Sequence, residues 1–207
     1  MADSYKWDHL YYGNREAAET ATLVEEEARK ALAIDRNDAA AQRELASAFL
    51  LAGNLQQALE GVNRALALNR NSTGAYRVRA ITSILMGQYE EGRVDVFTSL
   101  RLSPRDPLSG VGASYIAMSY YLQRDYEMAV EVAKGCLVKY PEFAPHRYLA
   151  AALAQLGRIR EAASAIRHLV TFEKSKIDAI FRNRPPYLRP EDHEHILDGL
   201  RKAGWQG

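Results

Sequence analysis

Cysteine occurs once in this 207-residue chain, at Cys136, so no intramolecular disulfide framework holds it together. No apolar run approaches the roughly 18 residues that a membrane-spanning helix needs. Neither charge sign dominates: 27 Lys and Arg stand against 26 Asp and Glu, which excludes a global field drawing the chain onto nucleic acid or an anionic membrane. Residues Met1 to Tyr12 are aromatic and charged instead of a basic patch leading into an apolar core, so no secretory signal is read there. Strand-like segments are missing too. These absences point to a cytoplasmic chain of one or two helical domains, long enough to bury a hydrophobic core.

What the sequence does contain is a period. Gly53 and Gly87 lie 34 residues apart, and the phrases Gly53-Asn54-Leu55-Gln56-Gln57-Ala58 and Gly87-Gln88-Tyr89-Glu90-Glu91-Gly92 align without gaps. Arg124-Asp125-Tyr126-Glu127-Met128-Ala129 is a third copy and Gly157-Arg158-Ile159-Arg160-Glu161-Ala162 a fourth. Each copy is an apolar stretch of helical period, a Gly or polar break, and a second such stretch ending at Pro or Asn, which is a pair of helices. In the first complete copy Leu45, Ala46, Phe49 and Leu50 form the stripe of the leading helix, Gly53 ends it, and Ala58, Val62, Ala65 and Leu66 face it from the second helix.

The Leu45-Ala46, Phe49, Gly53, Ala58, Ala65 framework resembles a tetratricopeptide repeat (TPR), over about residues 39–176. The resemblance implies an all-α, right-handed α–α superhelix with four repeats at about 39–72, 73–109, 110–142 and 143–176. Departures are specific. Arg79 and Gly92 stand where Leu and Ala are usual, Arg124 replaces the break glycine, and three extra residues place a longer loop at Pro104 to Ser109. Residues 1–38 read as a degenerate, capping repeat in which Glu16 to Ile34 is the second helix and Trp7, Leu10 and Tyr11 lie on the irregular first. Residues 177–207 read as a linker and a C-terminal capping helix with Pro190 at its start, acids in the first turn, bases in the last and the stripe Ile196, Leu197, Leu200. The tail residues Arg189 to Asp192 and Leu197 to Gly204, taken with the irregular first copy, resemble the C-terminal array of proteobacterial class III adenylate cyclases. That implies a regulatory or partner-binding array.

Motifs for chemistry are weak. Gly110-Val111-Gly112 lacks the third glycine of a dinucleotide fingerprint, and no phosphate loop is present. His193 and His195 point about 200° apart on a helix, so they do not share an ion; the spacing of Glu191 and His195 permits it, but a solvated helix face is the simpler reading. Cys136 fills the slot of Ala65 and Ser99 in sister copies and reads as a small packing residue. His9, His146 and His168 have no spaced partner for a triad. No cofactor and no metal is expected, and the chain is read as non-enzymatic.

A partner is expected on the wall formed by the leading helices. Their outward stripes run Arg43, Glu44, Ser47, Leu50; Arg77, Val78, Ile81, Ile84; Ser114, Tyr115, Met118, Tyr121; and Arg147, Tyr148, Ala151. The predicted site is Arg43, Ser47, Arg77, Ile81, Tyr115, Met118, Arg147 and Tyr148, a basic rim over an apolar floor that suits a protein or peptide with acidic and bulky apolar residues. The competing account of these stripes is interhelical packing with solvating arginines. Residues 158–189 hold eight Lys or Arg against three acids, but spread over a helix and a loop with little aromatic interleaving, so neither nucleic acid nor a membrane is the expected partner. The alternative function is self-association, holding a larger enzyme or signalling assembly as a homodimer.

Overall fold

The computed structural model describes residues 17–106, 108–140, 145–167 and 184–206. The expectations that rest on Trp7, Leu10 and Tyr11, on the end of the fourth repeat and on residues 177–183 of the linker lie outside them. Every regular element among the described residues is a helix: α1 Ala17–Ile34, α2 Ala39–Leu51, α3 Leu55–Leu68, α4 Thr73–Leu85, α5 Tyr89–Leu102, α6 Ser109–Leu122, α7 Tyr126–Lys139, α8 His146–Gln155, α9 described over 159–167, and α10 Pro190–Lys202.

Local chemistry sets the boundaries. The Asp38 carboxylate accepts from the amides of Ala40 and Ala41 at 2.8 and 3.1 Å, Ser72 Oγ from Ala75 at 3.3 Å, and Asp125 from Met128 at 3.1 Å, which satisfies donors that the first helical turn leaves unpaired. At the other end each leading helix closes in the same way. Asn54 N–H donates to Phe49 O at 2.8 Å, Gln88 to Ser83 at 2.9 Å, Asp125 to Tyr120 at 3.0 Å and Arg158 to Leu153 at 2.8 Å, a bond spanning five residues that needs the residue before it in the left-handed region. Gly53, Gly87 and Gly157 supply that conformation at φ 82°, 83° and 71°; Arg124 adopts it as a non-glycine residue at φ 68°. The repeat is therefore a repeat of hydrogen bonds as much as of side chains.

The described helices cluster into two compact units. The first holds α1 to α5 with Pro185–Leu188. Its core includes Ala46, Val62, Ala65, Leu66 and Ala75, with Leu59, Tyr76 and Val78 packed against them. Alanines here let neighbouring helices approach; Ala46, Ala58 and Ala65 have no exposed surface. The second unit holds α6 to α10, and the boundary falls at the three-residue insertion, where Asp106 caps the Leu108 amide at 2.8 Å.

Repeat two carries its departures as a pair of compensations. Arg79 on α4 makes two bonds of 2.7 Å to the carboxylate of Asp95 on α5 and one of 3.1 Å to Asn63 on α3. Its guanidinium also lies 5.4 Å from the Tyr76 ring centre, and the Asp95 bond raises its pKa above the ordinary arginine value. A Cβ on Gly92 would fall 2.6 Å from Ile84 Cγ1 and 2.8 Å from the Ala80 carbonyl, so α5 crosses α4 too closely for the usual alanine.

Candidate partner-binding site

In the first unit the leading helices are α2 and α4. Arg43 is half-buried, pairs with the buried Glu44 carboxylate, and lies across the first turn of α4, where a Cβ on Gly74 would come within 2.6 Å of Nη1. Ser47 does not face outward: its hydroxyl donates to the Arg43 carbonyl at 3.0 Å, and only 4 % of the residue is exposed. One turn of α4 keeps Arg77, Val78 and Ile81 half-buried, Val78 packing against the core of the unit, while Ile84, expected on the same stripe, is buried. The first unit thus presents a short strip, basic beside apolar, built from Arg43 on one helix and Arg77 and Ile81 on the next.

The second unit differs. Tyr115 and Arg147 are half-buried, with the Arg147 guanidinium 4.7 Å from the centre of the Tyr148 ring. Met118 and Tyr148, both predicted groove residues, are each only 4 % exposed, and Tyr121 has no exposed surface. All seven residues of α8 from Tyr148 to Ala154 are buried, more than one apolar stripe accounts for. At Tyr121 and Ala151 the covering element is α10. The Tyr121 hydroxyl donates to the His195 carbonyl at 2.8 Å, the Tyr121 and His195 rings stack with centres 4.8 Å apart, and Tyr126 Oη lies 3.2 Å from His195 Nε2. A Cβ on Gly199 would fall 2.7 Å from Tyr121 Oη and 2.8 Å from Ala151 Cβ. Gln155 Nε2 donates to Asp198 at 2.9 Å, and Lys202 Nζ donates to the same carboxylate at 2.6 Å and to Gln155 Oε1 at 3.0 Å.

These contacts revise the expectation of a solvated face at His195. The ring is packed, and burial, reinforced by the Arg124 charge, lowers its pKa to about 4 against the opposing pull of Asp198 and Asp192. With Nε2 directed at Tyr126, the imidazole works as a packing and hydrogen-bonding group. Burial likewise raises the Tyr121 hydroxyl above its ordinary value, so it stays protonated and donates. Cys136 is buried, with Sγ 3.9 Å from the Gly110 carbonyl, and its pKa is pushed up to about 11 by burial; the thiol is inert packing. Among the described residues no three His, Cys, Asp or Glu side chains converge as a metal site would require. None of the described helices is long and apolar enough to cross a membrane.

The tail helix, expected as a cap packed back on the last repeat, lies against Ala151 of α8; its contact with Tyr121 of α6 was not read from the sequence. Two signals for the close approach were present. Ala150, Ala151, Ala152 and Ala154 leave α8 small on every side, and Gly199 interrupts the apolar stripe of α10, as two helices in close approach demand.

No protein-family model matches the chain, and no curated protein matches it. Solved structures do. A thermophilic TPR protein of Thermus thermophilus superposes with a TM-score of 0.66 at 18% identity, over 97% of this chain and 100% of that one. YrrB, described as a TPR protein with an unusual peptide-binding site, gives 0.53 at 19% identity over 85% and 90%. PilF of Pseudomonas aeruginosa gives 0.56 at 17% identity over 88% and 79%. At these identities the likeness carries the fold: the chain has the all-α helix-pair architecture of TPR solenoids.

Proposed function

We propose that this chain is a non-enzymatic protein-interaction module that binds a peptide or protein segment on the faces of its leading helices. The observation that carries the reading is the α4 strip, where Arg77 stands beside half-buried Ile81 and Arg43 reaches over from α2. A basic rim next to apolar side chains selects a segment with acidic and bulky apolar residues, the charges steering its approach and the apolar contacts slowing its release. Within the second unit, Tyr115 and Arg147 are half-buried side chains of the same aromatic and basic chemistry. The likeness to YrrB, a TPR protein with an unusual peptide-binding site, supports a peptide as the ligand class. A cytoplasmic location suits such a module. The cyclase-like tail residues Arg189 to Asp192 and Leu197 to Gly204 support the narrower role of a regulatory array in a signalling protein.

The test is selection of peptides from a random 12-residue phage library on the full chain, followed by titration. Enriched sequences should combine Asp or Glu with Leu, Ile or aromatic residues and bind at micromolar Kd, about −8 kcal/mol. Ile81→Asp and Arg77→Glu should each weaken them about tenfold. Absence of enrichment, or binding indifferent to both substitutions, rejects the reading.

A second reading, homodimerisation, draws on one observation. Val94 and Phe97, three residues apart on α5, are 54% and 58% exposed and form an apolar pair on the outer side of that helix. Sedimentation of the wild type and of Phe97→Lys separates this from the first reading, since only a dimer built on that pair dissociates on substitution.

A further inference from the structure

The helix α10 has the properties of a ligand as much as those of a cap. Its own sequence supports its helicity: Pro190 at the first position, Glu191 and Asp192 in the first turn, Arg201 and Lys202 in the last, and an ion pair of 2.6 Å between Arg201 and Glu194. It packs along α8 at Ala151 and Gln155 and meets the end of α6 and the start of α7 at Tyr121 and Tyr126, so its apolar side is seated between elements of the same unit as an amphipathic helix is in a groove. Recognition is split among three devices. The Tyr121 hydroxyl bonds a backbone carbonyl, at His195, which any helix presents. The close approach at Ala151 accepts only a residue without a side chain, because a Cβ at position 199 meets atoms at 2.7 and 2.8 Å. At the edge, Gln155 holds the Asp198 carboxylate one residue before that glycine.

The glycine is the telling residue. In mid-helix it costs roughly 0.5–1 kcal/mol against alanine. Nothing inside α10 repays that cost; the fit against Tyr121 and Ala151 does. The Asp198 and Lys202 side chains that close the edge are about half exposed, so the rim is made of screened, exchangeable pairs.

We infer that the α6–α8 face is a helix-binding groove which α10 fills as an intramolecular pseudoligand, and that its external partner is an amphipathic helix bearing an acid–glycine step on its apolar stripe. This rests on the reading of the chain as an interaction module and names both the partner class and the regulation: the second unit is closed until a competing helix displaces α10. A ligand that must displace a resident segment binds with an affinity reduced by the fraction of chains that are open.

A labelled peptide of residues 189–206 tests this against the full chain by fluorescence anisotropy. Gly199→Leu in the chain removes the fit of the resident helix while raising its helix propensity. The variant should bind the wild-type peptide at least about tenfold more tightly than the wild-type chain does, and a peptide itself carrying Gly199→Leu should not bind. A folded Gly199→Leu chain that ignores the peptide overturns the inference. If that variant does not fold, a protease site inserted between Leu188 and Arg189 of the otherwise wild-type chain replaces it, since Pro185–Leu188 belong to the first unit. After cleavage and dilution the C-terminal piece should leave, the remainder should keep its helical circular dichroism, and added peptide should rebind. Loss of helicity on separation, or a piece that never leaves, makes α10 a structural cap and overturns the inference. Arg77→Glu keeps the two proposals apart, because it should weaken the phage-selected ligands of the first unit and leave the 189–206 peptide unaffected.

Discussion

The helices α4 and α8 hold equivalent places in their repeats, yet one is partly open and the other is buried over seven consecutive residues, Tyr148 to Ala154. In α4 the side chains of Arg77, Val78, Arg79 and Ile81 keep part of their surface, and the largest polar commitment is the Arg79–Asp95 pair. In α8 the run from Tyr148 to Ala154 is apolar and covered, with Ala151 pressed against Gly199. The same scaffold therefore makes two kinds of wall. One offers charge and apolar surface to solvent; the other keeps an apolar floor that a helix of the same chain fills.

The contrast is broken most directly at Tyr121. Replacing this unexposed ring with alanine removes its packing on Tyr126, Tyr148 and His195 and should cost about 3–5 kcal/mol in urea unfolding. Tyr121→Phe loses only the bond to the His195 carbonyl and should cost about 1 kcal/mol. Ile81→Ala, on the open wall, should cost under about 1 kcal/mol, since half-exposed side chains have less to lose. Equal losses at Ile81 and Tyr121 would mean that the two walls do not differ.

Next in size is the polar bridge of the first unit. Arg79→Leu restores the common repeat residue but leaves the buried Asp95 carboxylate without its two 2.7 Å bonds. Breaking a fully buried pair costs about 3–5 kcal/mol, and the partial exposure of Arg79 reduces the expected loss to about 2 kcal/mol. Adding Asp95→Ala should recover most of it. A double-mutant cycle measures the coupling, and additive losses would show that the pair contributes nothing jointly.

These residues also show what the sequence made legible. The period was visible because the left-handed turn after each leading helix favours glycine, and a backbone requirement leaves a mark that survives divergence of the side chains. Arg79 and Gly92 stood out as departures, but Asp95, sixteen residues from Arg79, was not recognised as its partner, because the pairing depends on how α5 crosses α4. The predicted wall was resolved least well. Period places Ser47, Met118 and Tyr148 on outward stripes, but a stripe facing solvent and one facing another helix have the same composition. In the second unit Tyr121 and Ala151 are covered by residues 190–202, a contact between segments more than forty residues apart that the stripe of either helix alone does not fix.

A smaller effect comes from pH. His195 is held at about 4 when folded, below its ordinary value of 6.5, so the unfolded chain takes up the proton first. Its contribution is favourable above about pH 6.5 and is lost as the pH falls from there toward 4. Because the imidazole keeps part of its contact with water, the loss should be only about 1 kcal/mol. The groups that set it are Arg124 and Lys202 on one side and Asp198 and Asp192 on the other, with Tyr121 and Tyr126 against the ring. Thermal melts at pH 7 and pH 5 should separate the wild type from His195→Gln, whose stability lacks this dependence. Identical slopes for the two would remove His195 as the source.

The smallest expected change is also a gain. Arg124 occupies at φ 68° the turn position that glycine fills in the sister repeats, a conformation costing an L-residue roughly 1–2 kcal/mol. Arg124→Gly removes that strain, and the greater freedom of glycine in the unfolded chain takes back about half. A net gain of roughly 0.5–1 kcal/mol should appear as a Tm higher by about 1–4 °C. The substitution also deletes a positive charge that holds down the His195 pKa, so His195 should titrate closer to its ordinary value and the loss below pH 6.5 should shrink. The Tm gain should therefore be larger at pH 5 than at pH 7. A gain of equal size at both would assign the whole effect to the backbone, and no gain at either would mean that the turn before Asp125 holds no strain.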